Sequence, residues 1–275
     1  MSIDFLRKFC CGLALLLIVA SIVMTIPTSG FRDPKLPSGM KSPGIAMELV
    51  NTREEVQGLA NNSQNRQTFN LLQVLDEWMF IPSYVLFYGC AGVFAFRAQQ
   101  TWLRWFGVAI VVLVATGATF DYLEDQAIFR ALADLDHATA TDISGVSYVK
   151  WGLLYAMLAC YVPLFLRRWH SATLRVLGLP FALYAGFSGV TGVLSCFAGA
   201  RQQVESTTLA LAAPVIFFMP FVALFHQSAM DGLNWLGNLP LVKTLISWPE
   251  IKEPPEEAAA NPRTGVKKAC NDYYS

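Results

Sequence analysis

Asp121, Glu124 and Asp125 stand at spacings of three and four residues, so on a helix all three carboxylates share one face. Lys150 is the only cation placed to meet them. Counting from Arg104 and Arg167, each expected at the inner end of an apolar helix, Asp121 and Lys150 both lie seventeen residues outward. At 1.5 Å per residue that is about 26 Å, which puts carboxylate and ammonium at one depth, just below the outer headgroups of a bilayer. Asp76 falls at the same outer level of another helix, with Phe80, Tyr84 and Tyr88 following every fourth residue beneath it. These positions predict an outward-facing polar pocket in which Lys150 holds Asp121 ionised, Glu124, more shielded, exchanges protons, and Asp76 and Tyr84 complete the wall. A second reading keeps the charges structural, as an ion pair locking two helices near the interface, where acids reach water.

The elements that must carry these residues follow from composition. Of 275 residues 54% are hydrophobic and only 15% charged, and the mean hydropathy is +0.42. Twenty basic against twenty acidic residues leave no net charge, which argues against nucleic acid as a partner. Six apolar stretches have the length a helix needs to cross about 30 Å of hydrocarbon: Cys10 to Ile26, Trp78 to Phe96, Phe106 to Asp125, Tyr148 to Leu166, Leu174 to Phe197 and Leu209 to Phe225. None alternates polar and apolar as a membrane β-strand does, so the fold class is all-α: a polytopic membrane helix bundle. Arg7, Lys8, Arg97, Arg104, Arg167, Arg168, Arg175, Lys243, Lys252, Arg263, Lys267 and Lys268 fall on one side when the N-terminus is cytoplasmic. That bias favours both termini inside, in a membrane of the bacterial inner type. A rival for the first stretch is a cleaved secretory signal, which leaves five spans and the same orientation.

Residues 27 to 77 are expected to form a small outer helical cap. Asn51, Thr52 and Glu55 there have the pattern of a helix start with a returning glutamate, and Asn61-Asn62-Ser63 matches a glycosylation acceptor. The broken apolar stretch from Met230 to Trp248 reads as an interfacial segment, closing a membrane unit of residues 1 to 249, and 250 to 275 reads as a disordered cytoplasmic tail. Tyr184, Ser188, Thr191 and Ser195 make a polar stripe that either reaches the pocket or serves helix packing, together with Ala185, Gly189 and Gly192.

No metal or cofactor is expected. His137, His170 and His226 lie in separate segments without a zinc spacing, and no Gly-rich phosphate loop is present. Asp134, Asp136 and Asp142 lack the spacing of a calcium loop and read as a solvated acidic turn.

Met47-Glu48-Leu49, Thr52-x-Glu54-Glu55, Asp76-x-x-x-Phe80-x-x-x-Tyr84 and Asp121-x-x-Glu124-Asp125 with the later Lys150 resemble a pattern in uncharacterised multi-pass bacterial integral membrane proteins. Those proteins commonly read Asp-x-x-Glu-Asn where this chain ends in Asp125. The resemblance adds weight to these positions without implying an activity. The expected partners are the lipid bilayer and a small molecule or lipid headgroup in the pocket. A membrane-embedded acid/base enzyme on a lipid-like substrate, a proton-coupled carrier and a structural or assembly subunit remain alternatives.

Overall fold

Apolar residues all round a helix leave no water-facing side, and the first helix has that character. In a computed structural model, which describes residues 3–96, 101–163 and 172–208, α1 runs over Ile3–Thr25. Leu13, Ala14, Leu17 and Ala20 are buried on one face while Leu15, Leu16, Val19 and Ile22 are exposed on the other. An exposed aliphatic face of this extent is what a lipid-facing helix presents.

Three short helices follow, each started by a side chain that satisfies a free backbone N–H. The hydroxyl of Ser42 opens α2 (Pro43–Glu48), that of Thr52 opens α3 (Arg53–Leu59), and the amide oxygen of Asn62 opens α4 (Ser63–Leu75). At α3 the expected returning glutamate is present, Glu55 Oε2 accepting from the Asn51 N–H at 2.7 Å. The wholly buried Asn65 ties the segment together: its side-chain amide donates to the carbonyls of Arg32 and Leu59, and its oxygen accepts from the Arg32 N–H at 2.8 Å.

From Ser63 the chain stays helical to Phe96. A π-helical turn at Asp76–Phe80 joins α4 to α5 (Ile81–Phe96), so the Trp78–Phe96 stretch continues the helix that begins at Ser63. Helix α6 covers Thr101–Ala133, and residues 134–139 turn the chain into α7 (Ala140–Cys160). Both helices run on past the ends read from hydropathy at Asp125 and Tyr148, because Ala127, Ile128, Ala131, Leu132, Ala140 and Ile143 continue a buried apolar seam beyond the charged residues. Helix α8 (Ala172–Phe197) and a helical segment at 201–208 complete the described chain.

Glycines set how closely neighbours approach. A Cβ on Gly107 would stand 2.6 Å from the Gly92 carbonyl oxygen and 2.5 Å from the Phe96 nitrogen, so α5 and α6 touch backbone to backbone. Gly189 does the same for α8 against α7, where a Cβ would stand 2.9 Å from the Ala159 nitrogen and the Tyr155 carbonyl oxygen, and Gly192 leaves the space the Tyr155 ring fills. The described residues are helical with no strand, and four of their stretches are long and apolar enough to cross a membrane: Gly12–Gly30, Thr101–Ala133, Ala140–Cys160 and Leu179–Phe197. The sixth expected span, the interfacial segment and the tail lie outside the described residues.

Candidate functional site

Helices α6 and α7 form an antiparallel pair, and their charged residues meet in its middle. Lys150 Nζ lies 2.9 Å from Asp121 Oδ1 and 2.7 Å from Glu124 Oε2, both on the facing helix. A third carboxylate reaches it from outside the pair: Glu48 Oε2, at the end of α2, is 2.9 Å away and also accepts from the indole N–H of Trp151 at 2.9 Å. The ammonium stands over the Trp151 ring, 4.7 Å from its centroid, a cation–π contact between two buried side chains. Asp121, Glu124, Asp125 and Lys150 are all at most 4% exposed. The acids do not reach solvent, since both helices continue past them by two turns or more.

Tyr84 on α5 donates to Asp121 Oδ2 at 2.8 Å and so fixes the second oxygen of that carboxylate. Asp76 arrives from the π turn, which Gln126 of α6 clamps by donating to Glu77 at 2.6 Å. Two acids of the cluster keep buried oxygens with neither a hydrogen bond nor an ion pair to Lys150: Oδ1 of Asp76 and both oxygens of the fully buried Asp125. An unsatisfied buried carboxylate oxygen is costly, and it marks where a proton or an added donor would be most stabilising.

A cavity of about 340 Å³ opens beside the cluster. Glu48, Asp76, Asp121, Lys150 and Tyr84 make its polar end, and Leu17, Met24, Ile45, Leu72, Leu154 and Met157 supply apolar wall from α1, α2, α4 and α7. Of the five residues expected from sequence to form the pocket, Asp76, Tyr84, Asp121 and Lys150 line it. Glu124 contacts Lys150 instead and is not among the lining residues. Glu48 is the principal residue that spacing alone does not select; the one sequence signal for it is its place in the Met47-Glu48-Leu49 motif.

The polar stripe of α8 turns inward upon its own helix. Thr191 donates to the Phe187 carbonyl and Ser195 to that of Thr191, both at 2.7 Å, and none of Tyr184, Ser188, Thr191 or Ser195 lines the cavity. Of the two readings of the stripe, the close approach of α8 to α7 is the one these contacts favour. In the 134–139 turn Asp134 pairs with His137 at 2.9 Å and Asp136 with Arg53 at 3.3 Å, and Asp142 sits in the first turn of α7. Among the described residues no group of acidic, His or Cys side chains is arranged to hold a metal ion.

The segment at 199–208 fastens the cavity from the side. Arg201 pairs with Glu55 at 2.8 Å, Glu205 accepts from the Lys41 and Ser42 N–H groups, and Gln202 donates to the Ser38 carbonyl at 3.1 Å. Tyr155 of α7 donates to the Val204 carbonyl at 2.9 Å, and Thr208 stands on the cavity wall. Burial works against the ionised Glu55 carboxyl, but the Asn51 N–H and the Arg201 guanidinium outweigh it and hold this group below the usual carboxylate range.

Fold and site together define an all-helical protein with several helices apolar enough for a bilayer, assembled around a buried lysine shared by three carboxylates. Compared with protein-family models, with curated proteins and with solved structures, the chain gives no match.

Proposed function

We propose that this chain is a multi-pass membrane protein whose cavity binds an amphipathic small molecule or lipid, with the polar head at the Glu48, Asp76, Asp121 and Lys150 end and the apolar body among α1, α2 and α7. The observation that carries this reading is the division of one cavity into a charged end and an apolar wall. Binding sites for small molecules combine a mostly apolar lining with a few convergent polar groups in this way. Around it we read six spans, with those at 78–96 and 209–225 added to the four long helices, both termini cytoplasmic, and α2 to α4 forming a cap on the outer side of a bacterial inner membrane. The Lys and Arg distribution supports that orientation. Glu124, in contact with Lys150, and Asp125 then set the field around the ammonium.

The test is lipid and metabolite mass spectrometry on the purified full chain, set against Ser21→Trp, which fills the cavity from α1. Wild type is expected to retain an amphipath in near-stoichiometric amount that the variant loses. Identical profiles from both, with no amphiphile raising the melting temperature of wild type alone, would overturn the reading.

A further inference from the structure

The charge around the cavity does not balance. Glu48, Asp121 and Glu124 already share Lys150, each at 2.9 Å or less. Among the described residues no lysine or arginine pairs with Asp76 or Asp125; Asp76 lines the cavity, and its buried Oδ1 has no donor. Asp125 adds two more buried oxygens without a donor behind Asp76 and Asp121. The unsatisfied atoms at this end are carboxyl oxygens, so a donor is stabilising there, and one that carries positive charge makes the stronger hydrogen bond.

The wall next to Asp76 is aromatic. Phe80, Tyr84 and Tyr88 descend from it at four-residue steps along the same rod, with Phe80 and Tyr84 ring centroids 5.6 Å apart and Tyr84 and Tyr88 6.4 Å apart. All three line the cavity. A ring face beside a carboxylate stabilises an ammonium by its quadrupole as well as by the neighbouring charge. Beyond the rings the lining mixes aliphatic side chains such as Leu17, Leu72 and Leu154 with a few small polar ones such as Ser21 and Thr28.

We infer that the ligand of this cavity is a lipophilic amine, its ammonium lodged between Asp76 and the Phe80–Tyr84 rings and its apolar body along Leu17, Met24 and Met157. The inference rests on the cavity being a binding site, as proposed above, and adds the charge of the head. An ammonium there meets the Asp76 carboxyl and offsets the excess of carboxyl groups over cations. A neutral alcohol supplies the donor without the charge, and a carboxylic acid adds repulsion to the unmet acceptors.

The experiment uses the full chain in lipid nanodiscs and three probes that differ only in the head: phenylbutylamine, phenylbutanol and phenylbutyrate, each measured by equilibrium dialysis. The amine is expected to bind about tenfold or more tightly than the alcohol, with the carboxylate weakest. Asp76→Asn should bring the amine down to the alcohol's level and leave the alcohol unchanged. The head-group series on wild type decides the matter by itself if that variant fails to fold. Binding of the alcohol as tight as that of the amine overturns the amine and leaves the binding site standing. An amine preference that survives both Asp76→Asn and Glu48→Gln overturns the placement of the head. Binding of none of the three overturns both the site and the amine.

Discussion

Lys150 of α7 and Asp121 of α6 meet at 2.9 Å although each is almost fully buried. Two helices with continuous apolar seams could slide or rotate against one another at small cost. A charge pair at a single level removes that freedom, since any change of register strands both charges in a low-dielectric interior. Replacing Lys150 with Met therefore leaves three carboxylates without a cation, and a loss of about 3–5 kcal/mol in unfolding free energy is expected. Thermal unfolding in detergent followed by fluorescence measures it. The double variant Lys150→Met with Glu124→Gln should recover part of the loss; no recovery would show that packing rather than charge is at stake.

The α5–α6 contact makes a different kind of demand. With Gly107 lying 2.6 Å, from its would-be Cβ, to the Gly92 carbonyl and 2.5 Å to the Phe96 nitrogen, an added methyl group meets backbone, which has no rotamer to escape into. Gly107→Ala should lower stability by about 1–3 kcal/mol. Gly145, around which a Cβ meets nothing, is the control: alanine there should be neutral or slightly stabilising in the same unfolding assay.

How much of this could be read in the chain itself depends on the range of each interaction. The Asp121–Lys150 contact was legible because distance along a membrane helix translates into depth, and two opposite charges at one depth have reason to meet. The start of α3 was legible because Thr52 and Glu55 act within four residues. Glu48 was not, because its partner is 102 residues away and α2, six residues long, has no periodicity to show which side it turns inward. The reach of α6 and α7 beyond the site was hidden by their polar ends: Arg130 and Asp142 lower the local hydropathy while the alanines and isoleucines beside them are buried against neighbours. The serines and threonines of α8 look alike whether they face a ligand or their own carbonyls, and only coordinates tell these apart.

The Glu55–Arg201 pair should make the fastening of the 199–208 segment sensitive to acid. Glu55 in the folded chain is held below the usual carboxylate range, so the contact contributes fully above the unfolded value and is lost as pH falls through the folded one. Hydrogen exchange of the backbone around Ser38 to Ala60 should accelerate between pH 5 and pH 3 beyond the intrinsic change, by an amount limited by the contact's exposure to solvent. In Glu55→Gln the additional acceleration should vanish. If it persists undiminished, the acid response belongs to another group.

Tyr84 offers the most selective probe of the polar end. Its hydroxyl donates to Asp121 Oδ2, while Lys150 occupies Oδ1. Tyr84→Phe keeps the ring, and with it the edge-on packing against Phe80 and Tyr88, but leaves a buried carboxylate oxygen without its donor. A charged acceptor loses about 1.5–3 kcal/mol on such a deletion, against near neutrality for the same change at an exposed tyrosine such as Tyr122. The comparison of Tyr84→Phe with Tyr122→Phe in thermal unfolding isolates the hydrogen bond from the ring. Asp121→Asn in the Tyr84→Phe background should cost less than it does alone, since the two residues share one interaction. Strict additivity would mean that the tyrosine hydroxyl and the Asp121 carboxylate do not depend on each other, and that Lys150 alone holds Asp121 in place.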